Sequence, residues 1–211
     1  MYYLSNTDIS KLEVQANEIR QSIIEMLVSA GSGHTAGSLD MADIFTLLYF
    51  SVLKHDPKNP DWEDRDRLVL SAGHICPVLY ATMAHAGYFP VEELMTLRKF
   101  GSRLQGHPHR TALPGIETSS GPLGSGLSQA VGMAIAERMD NPYTSKFIYC
   151  ITGDGELNEG QIWEALMLAG KEQLHNLVVI VDRNGIQIDG DTKDVMPLES
   201  LRDKFESFNF H

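Results

Sequence analysis

The sequence predicts an α/β protein with a doubly wound, mostly parallel sheet that carries helices on both faces. Three short, continuously apolar runs, at 67–70, 147–151 and 177–181, indicate strands that are buried on both sides. Stretches with helical spacing lie between these runs, and strands that alternate with helices are typical of a parallel sheet. We therefore expect right-handed crossovers and a single domain over residues 1–211.

The helices are predicted from apolar residues that recur three and four positions apart. The first predicted helix starts at a cap formed by Thr7 or Asp8 and ends at Gly31. A second, unusually apolar helix is predicted over 38–53. The other predicted helices are those at 75–85, 91–99, 127–139, 159–169 and 198–205.

Composition limits the ligands that the chain can bind. Its 17 Lys and Arg residues face 28 Asp and Glu residues, for a formal net charge of -11. Nucleic acid is not an expected partner, because a phosphate backbone needs clustered cations. A small phosphorylated ligand would have to be held by main-chain amides, helix N-termini or a metal ion.

The cysteines and the apolar runs indicate the compartment. Cys76 and Cys150 both lie in apolar stretches and do not form a metal-type pair, which favours a reduced, intracellular protein. The first residues lack the pattern of a signal peptide. No uncharged apolar run approaches the roughly 20 residues of a membrane span. We expect a cytoplasmic protein without a membrane partner.

Polar, glycine-flanked residues follow each predicted strand. Gly73-His74 follows the first strand, Gly153-Asp154-Gly155-Glu156 the second, and Asn184-Gly185 the third. Ligands of open α/β sheets bind beyond the carboxyl ends of the strands, so we expect these residues at one edge.

The two later segments predict a metal and diphosphate site. A carboxylate and a phosphate repel each other unless a cation lies between them, and Mg²⁺ prefers a few protein oxygens plus phosphate oxygens. Asp154, Asn184 and the carbonyl of Ile186 are the candidate protein oxygens. The alternative is an ordinary Asp-Gly turn and an unrelated Asn-Gly turn. The two motifs on successive strands, with a helix between them, favour the metal site.

Three histidines follow a glycine at the ends of predicted elements or in a loop. They are His34, His74 and His107. Histidine suits a site where hydroxyl protons move near neutral pH. The alternative for each one is a surface residue or a hydrogen-bonded core group.

These motifs resemble the transketolase family in order and spacing, from about Leu12 to the C-terminus. GDGELNEGQIWEAL followed by LVVIVDRNGIQIDG is similar to its thiamine diphosphate signature. SAGSGHTAGSLDMADI, RDRLVLSAGH, GSRLQGHP and PGIETSSGPLGSGLSQAVGMAIA resemble its active-site segments. The resemblance implies a domain that binds thiamine diphosphate and Mg²⁺, or another divalent cation such as Ca²⁺ or Mn²⁺.

The resemblance also assigns roles to residues. It implies that Asp154, Asn184 and the Ile186 carbonyl bind the metal, and that His34, His74, His107 and Glu159 serve catalysis. The cofactor-binding residues that it implies are His74, Gly121, Pro122, Leu123, Gly153, Asp154, Gly155, Glu156, Asn184 and Ile186. Glu159 and the less certain Glu164 match glutamates near a subunit interface. The alternative for both is a solvated helix face, and for Gly121-Pro122-Leu123 it is a turn before a helix.

Two departures from the family pattern affect substrate and completeness. His34-Thr35-Ala36 stands where many transketolases have His-Pro-Gly, which puts the substrate preference in doubt. By this resemblance the chain ends before the usual first half does, and we expect either a fragment or a shortened form.

The domain that binds the aminopyrimidine ring has no counterpart in the sequence. The resemblance therefore implies an N-terminal subunit that transfers a two-carbon ketol unit between sugar phosphates. Its expected partner is a C-terminal subunit with the pyrimidine-binding domain, in a dimer of heterodimers. A non-catalytic relic and a deoxyxylulose-phosphate synthase-like or 2-oxoacid dehydrogenase-like subunit stay open.

Overall fold

The computed structural model describes residues 4–188 and 190–211. Its contacts divide the chain into two compact units. The first unit contains the chain up to Arg65 together with His74–Ile116, and the second contains Asp66–Gly73 and Glu117–His211. The single domain over 1–211 stays a prediction, and each unit is described by itself.

The first unit is helical. Its elements are α1 (Asn6–Ala30), α2 (Ala36–Asp40), α3 (Ala42–Leu47) with a π-helical turn over Leu48–Val52, α4 (Cys76–His85) and a 3₁₀ helix over Val91–Thr96. Helix α4 is buried over most of its length and contacts α1 and α3. No helix in the part of the chain that the structure describes is long and apolar enough to cross a membrane.

Helix α1 begins earlier than predicted. Ser5, rather than Thr7 or Asp8, is its N-cap: the Ser5 hydroxyl accepts the Asp8 N–H at 3.2 Å, and the Asp8 carboxylate accepts the Ser5 N–H at 3.2 Å. This reciprocal capping box satisfies two main-chain donors that a helix N-terminus otherwise leaves free. Gly31 ends the helix at φ 64°, as the sequence predicts.

Two other helices differ from the prediction. The helix expected over 38–53 is interrupted at Met41, where ψ is 1°, and finishes as the π-helical turn. The stretch expected at 91–99 is 3₁₀ and ends where Leu97 turns extended, before Arg98 at φ 59°. Apolar spacing alone does not distinguish these helix types, because their periods are close.

The second unit contains a parallel sheet of three strands in the order β1 (Arg67–Leu70), β2 (Ile148–Gly153) and β3 (Leu177–Asp182). Its helices are α5 (Ser125–Asp140), a 3₁₀ helix over Gly155–Asn158, α6 (Gly160–Glu172), α7 (Thr192–Val195) and α8 (Leu201–Ser207). Strands β4 (Ile186–Gln187) and β5 (Gly190–Asp191) form a small antiparallel pair that the sequence did not predict. The α/β class is confirmed.

The core of the second unit fixes the strand ends. Val69, Ile148 and Cys150 of the sheet are buried in one cluster with Leu127 of α5 and Leu166 of α6. Burying such side chains stabilises each by about 1.5–3 kcal/mol. In the resulting register Gly153 pairs with Asp182, so the turn after β2 lies beside the end of β3.

Candidate functional site

Asp154 is the best-defined residue of the predicted metal site. It follows β2, and its residue surface is only 2% exposed. Its main-chain N–H donates to the Asp182 carbonyl at 2.9 Å. One carboxylate oxygen accepts the Gly155 N–H at 2.8 Å and the other accepts the Gly185 N–H at 2.8 Å. The carboxylate thus connects the turn after β2 to the turn after β3.

Asn184 and Ile186 lie in the segment to which Asp154 is bonded. Both are exposed. The Asn184 side-chain oxygen accepts the Ile186 N–H at 3.0 Å, and its amide nitrogen donates to the Asp182 carboxylate at 3.1 Å. The same segment borders a cavity of about 410 Å³, lined by Arg183, Asn184, Gly185, Ile186, Asp191, Thr192, Lys193, Pro197, Leu198 and Glu199.

The donor set fits a divalent cation that is shared with phosphate. Within residues 4–188 and 190–211, no three His, Cys, Asp or Glu side chains are grouped as a metal site. Each Asp154 oxygen uses one lone pair for a main-chain N–H and retains another. One carboxylate, one amide oxygen and one carbonyl leave several octahedral positions for phosphate and water, as Mg²⁺ prefers.

The helix after the turn at Gly155 starts close to its predicted position. It was predicted over 159–169 and is observed as α6 from Gly160, with the 3₁₀ helix over Gly155–Asn158 between Asp154 and α6. A side chain at Gly155 would meet Gln187, because an added Cβ would lie 3.0 Å from the Gln187 Cβ. Glycine therefore allows the β4 segment to approach this turn closely.

Glu156 turns inward, away from solvent. Its residue surface is 3% exposed, and its carboxylate accepts hydrogen bonds from the Ser71 hydroxyl, the Gly124 N–H at 2.6 Å and the Gly153 N–H at 3.2 Å. Burial raises the pKa of this carboxyl above its ordinary value, and the three hydrogen bonds oppose that shift. The residue predicted to bind cofactor is thus bonded to protein groups.

The segment Gly121-Pro122-Leu123 forms a loop that leads into α5. Pro122 and Leu123 are exposed, and an added Cβ at Gly121 would meet nothing within 4 Å. The Leu123 carbonyl accepts the Gln161 side-chain amide at 2.9 Å. The side chains of Pro122 and Leu123 are therefore exposed, while the main chain of the loop is hydrogen-bonded to α6.

In the first unit the structure brings together the three histidines that the sequence singled out. The His34 and His74 rings have centroids 5.0 Å apart and meet edge to face at 67°. Burial and the charges of His34 and His107 lower the pKa of His74. Burial, Arg98 and His34 lower the pKa of His107. His74 and His107 are therefore held neutral over a wider pH range, ready to accept or donate hydrogen bonds.

Two further histidines have structural roles. His85 contacts the Ser22 hydroxyl at 2.9 Å and the Gln15 amide at 3.1 Å. His55 contacts the Tyr49 carbonyl at 2.7 Å and the Tyr88 hydroxyl at 3.0 Å. Both residues are thus hydrogen-bonded within the fold rather than offered to a ligand.

Glu159 and Glu164 are both exposed on the second unit. Glu159 is the N-cap position of α6 without a side-chain cap, and Glu164 lies one turn into the helix. Both side chains are therefore accessible. Their predicted place at a subunit interface stays a prediction.

Ser71 and Gln161 have roles that the sequence patterns did not indicate. Gly185 was indicated, because it directly follows Asn184, and it has φ 77° in the structure. Ser71 and Gln161 bond to segments far away in the chain, so no local pattern predicts these contacts.

Comparison with known proteins identifies the family of the chain. The family model described as transketolase, thiamine diphosphate binding domain, matches residues 12–211. The 6-deoxy-6-sulfo-D-fructose transketolase subunit SqwG of Clostridium sp. (strain MSTE9) is 49% identical over 201 residues, which cover 95% of this chain and 72% of that protein. One subunit of the apulose-4-phosphate transketolase of Phocaeicola vulgatus is 42% identical over 202 residues, which cover 96% and 71%.

Solved structures give the same result for the fold. The transketolase from Leishmania mexicana superposes with a TM-score of 0.89 at 40% sequence identity. The match covers 95% of this chain but 31% of that one, so the chain spans about a third of the solved protein.

Proposed function

The chain belongs to the transketolase family, and we propose that it is the N-terminal, thiamine diphosphate-binding subunit of a split transketolase. The reaction would move a two-carbon ketol unit from a ketose or ketose phosphate to an aldose or aldose phosphate. The observation that best supports this proposal is the hydrogen bond from the Gly185 N–H to the Asp154 carboxylate, at 2.8 Å. It joins the two parts of the cofactor motif, which lie about thirty residues apart in the sequence.

We assign the cation to Asp154, Asn184 and the Ile186 carbonyl, and the diphosphate to Gly153 and Gly155. Bound thiamine diphosphate would supply the carbanion chemistry that breaks and forms the carbon–carbon bond. The cation would offset the charge of the diphosphate in a chain whose formal net charge is -11. Asp154 is already held by two main-chain amides, so its carboxylate needs no rearrangement to bind the cation.

We assign substrate contacts to His34, His74 and His107. A neutral imidazole can donate a hydrogen bond to one sugar hydroxyl and accept a hydrogen bond from another. The lowered pKa values of His74 and His107 favour the neutral form. Pro122 and Leu123 would contact the middle of the cofactor. Glu159 would lie at a subunit interface near the catalytic glutamate of a partner.

The expected partner is a C-terminal subunit that carries the pyrimidine-binding domain, in a dimer of heterodimers. Two relatives are named as transketolase subunits, which supports a divided enzyme. Their names contain different ketoses, one with a sulfo group and one with a phosphate. An assay panel should therefore include both kinds of anionic ketose, together with an uncharged ketose.

The test is reconstitution. The purified chain is mixed with a candidate C-terminal subunit, thiamine diphosphate and Mg²⁺, and ketol transfer to an aldose is followed by product formation. We expect turnover with both subunits and almost none with either alone. Substantial turnover by this chain alone would contradict partner dependence. Activity with pyruvate but not with ketoses would instead favour a deoxyxylulose-phosphate synthase-like or dehydrogenase-like subunit.

A non-catalytic relic predicts a different result. Such a chain would bind no thiamine diphosphate at any Mg²⁺ concentration, with or without the partner. Calorimetric titration of the cofactor distinguishes this result from an active subunit tested with the wrong sugar.

A further inference from the structure

Glu156 is a buried carboxylate that joins three separate segments of the second unit. Its Oε1 accepts from the Ser71 hydroxyl, just after β1, and from the Gly124 N–H at 2.6 Å, before α5. Its Oε2 accepts from the Gly153 N–H at 3.2 Å, at the end of β2. One side chain thus connects the end of β1, the end of β2 and the start of α5 through three hydrogen bonds.

The connection determines where the 121–124 loop lies. Gly124 has φ 86°, and an added Cβ would lie 2.8 Å from the Glu159 Cβ and 2.9 Å from the Gln161 Cγ. The Gln161 amide also holds the Leu123 carbonyl at 2.9 Å. The loop is thus held by side chains from the segment that directly follows the Asp154 turn.

Direct cofactor binding does not account for the contacts of Glu156. Both carboxylate oxygens point at protein donors, and the residue is almost completely enclosed. A carboxylate turned toward a diphosphate without a cation between them would repel it. The contacts instead suit a side chain that acts on a ligand through the loop it holds.

We propose that Glu156 is a positioning residue, which locks the loop over residues 121–124 to the Gly153–Gly155 turn so that both are in place before a ligand arrives. Prior ordering of these two segments spares the ligand the entropic cost of fixing them. The expected effect on thiamine diphosphate binding rests on the proposed function. The hydrogen-bonded link between the loop and the turn does not depend on that function.

Hydrogen exchange of the cofactor-free chain tests the link itself. Glu156→Met keeps the side-chain size but removes all three acceptor contacts, and Glu156→Gln keeps one neutral acceptor. Glu172→Gln, at the end of α6 where Glu172 pairs with Lys171, is the control. We expect amides of 121–126 to exchange about tenfold faster in Glu156→Met and by a smaller factor in Glu156→Gln. Peptides from β3, and the amides of β2 before Gly153, should exchange as in the unchanged protein.

Unchanged exchange of 121–126 in both variants would overturn the proposal. So would uniform acceleration across β2 and β3, because Glu156 would then stabilise the whole unit. If Glu156→Met does not fold, Glu156→Gln decides alone, since its amide must leave the Gly153 N–H without an acceptor or weaken the bond to Gly124. Unchanged loop exchange in that variant would then end the proposal.

Cofactor titration is the second readout. With Mg²⁺ present, we expect Glu156→Met to bind thiamine diphosphate about tenfold more weakly, and Glu156→Gln to recover part of the loss. In the reconstituted enzyme, saturating cofactor should restore most of kcat. A kcat that stays low at saturation contradicts a role through cofactor affinity. If the unchanged protein binds no thiamine diphosphate, the proposed function is contradicted. The hydrogen-exchange result would still test whether Glu156 links the 121–124 loop to the Gly153–Gly155 turn.

Discussion

The carboxylate of Asp154 accepts the main-chain N–H of Gly185 at 2.8 Å, across 31 positions of sequence. Both of its partners are groups of the protein itself. It holds the turn after β2 against the turn after β3, where Gly153 and Asp182 are paired in the sheet. A carboxylate oxygen and the Asn184–Ile186 segment are thereby close to each other in the protein itself.

The first prediction concerns the assigned cation ligand. Asp154→Asn should weaken Mg²⁺-dependent binding of thiamine diphosphate by more than about tenfold, because the amide removes the negative charge that attracts the cation. Calorimetric titration with and without Mg²⁺ measures the change. Asp194→Asn, an exposed position in α7, is the matched control and should bind like the unchanged chain. Equal affinity of Asp154→Asn and the control would contradict the assignment.

The second prediction concerns the packing of α5 against the end of β1. An added Cβ at Gly126 would lie 2.5 Å from the Ser71 Cβ and 2.6 Å from its Cα. Gly126→Ala should therefore lower the free energy of unfolding by about 1–3 kcal/mol. Denaturant titration followed by circular dichroism measures this quantity.

Gly132 is the control for this prediction. It lies in the same helix, and an added Cβ would meet nothing within 4 Å. Gly132→Ala should raise the free energy of unfolding by about 0.5–1 kcal/mol, because alanine loses less backbone entropy in a helix. A Gly126→Ala variant as stable as the unchanged chain would show that α5 can move away from Ser71 at little cost.

The third prediction concerns acid stability. Burial first, then the charges of His34 and His107, lower the pKa of His74 below its ordinary value of 6.5. Below pH 6.5 the unfolded chain therefore binds more protons at this residue than the folded chain does, so stability falls as the pH falls through that range. His85 and His107, whose pKa values are also lowered, contribute in the same direction.

The measurement is the melting temperature between about pH 5 and 8. His74→Asn should show a shallower loss of stability on acidification than the unchanged chain, because one titrating group is gone. His175→Asn removes an exposed histidine and is the control. Identical slopes for His74→Asn and the unchanged chain would contradict the prediction.

The fourth prediction concerns the two thiols. Burial raises the pKa of Cys76 to about 12, and it raises the pKa of Cys150 as well. Because the thiolate is the reactive form, neither residue should react with a thiol reagent at about pH 8 while the chain is folded. Unfolding the chain in guanidinium chloride should expose both thiols, which should then react. Reaction of one thiol in the folded chain, located by mass spectrometry of peptides, would contradict the burial of that residue.

Local sequence signals identified the strands more accurately than the helix boundaries. The three buried strands were predicted to within two residues at each end, because a short, continuously apolar run that leads into a glycine turn is typical of a buried parallel strand. The cap of α1 was misplaced because four consecutive residues, Ser5, Asn6, Thr7 and Asp8, are all of types that cap helices. Only the observed bonds show that Ser5 is the cap and that Asp8 is its reciprocal partner.

The sequence likewise indicated some features of the candidate site and not others. Residue type and position were enough to name Asp154, Asn184 and the three histidines as candidates, because each stands beside a glycine at the end of a predicted element or in a loop. Nothing in the spacing indicated that Glu156 would turn inward to Ser71 and Gly124. Its neighbours in sequence suggested a cofactor ligand, whereas its neighbours in space are three protein donors.

The sequence by itself determined the α/β class, the positions of the three parallel strands and the residue types available for a metal and a diphosphate. It did so because burial periodicity and glycine turns are properties of a few consecutive residues. The tertiary structure alone decided which distant groups meet: Asp154 with Gly185, Glu156 with Ser71 and Gly124, and His34 with His74. Those contacts depend on strand register and helix packing, which are set by the burial of the whole core rather than by any one segment.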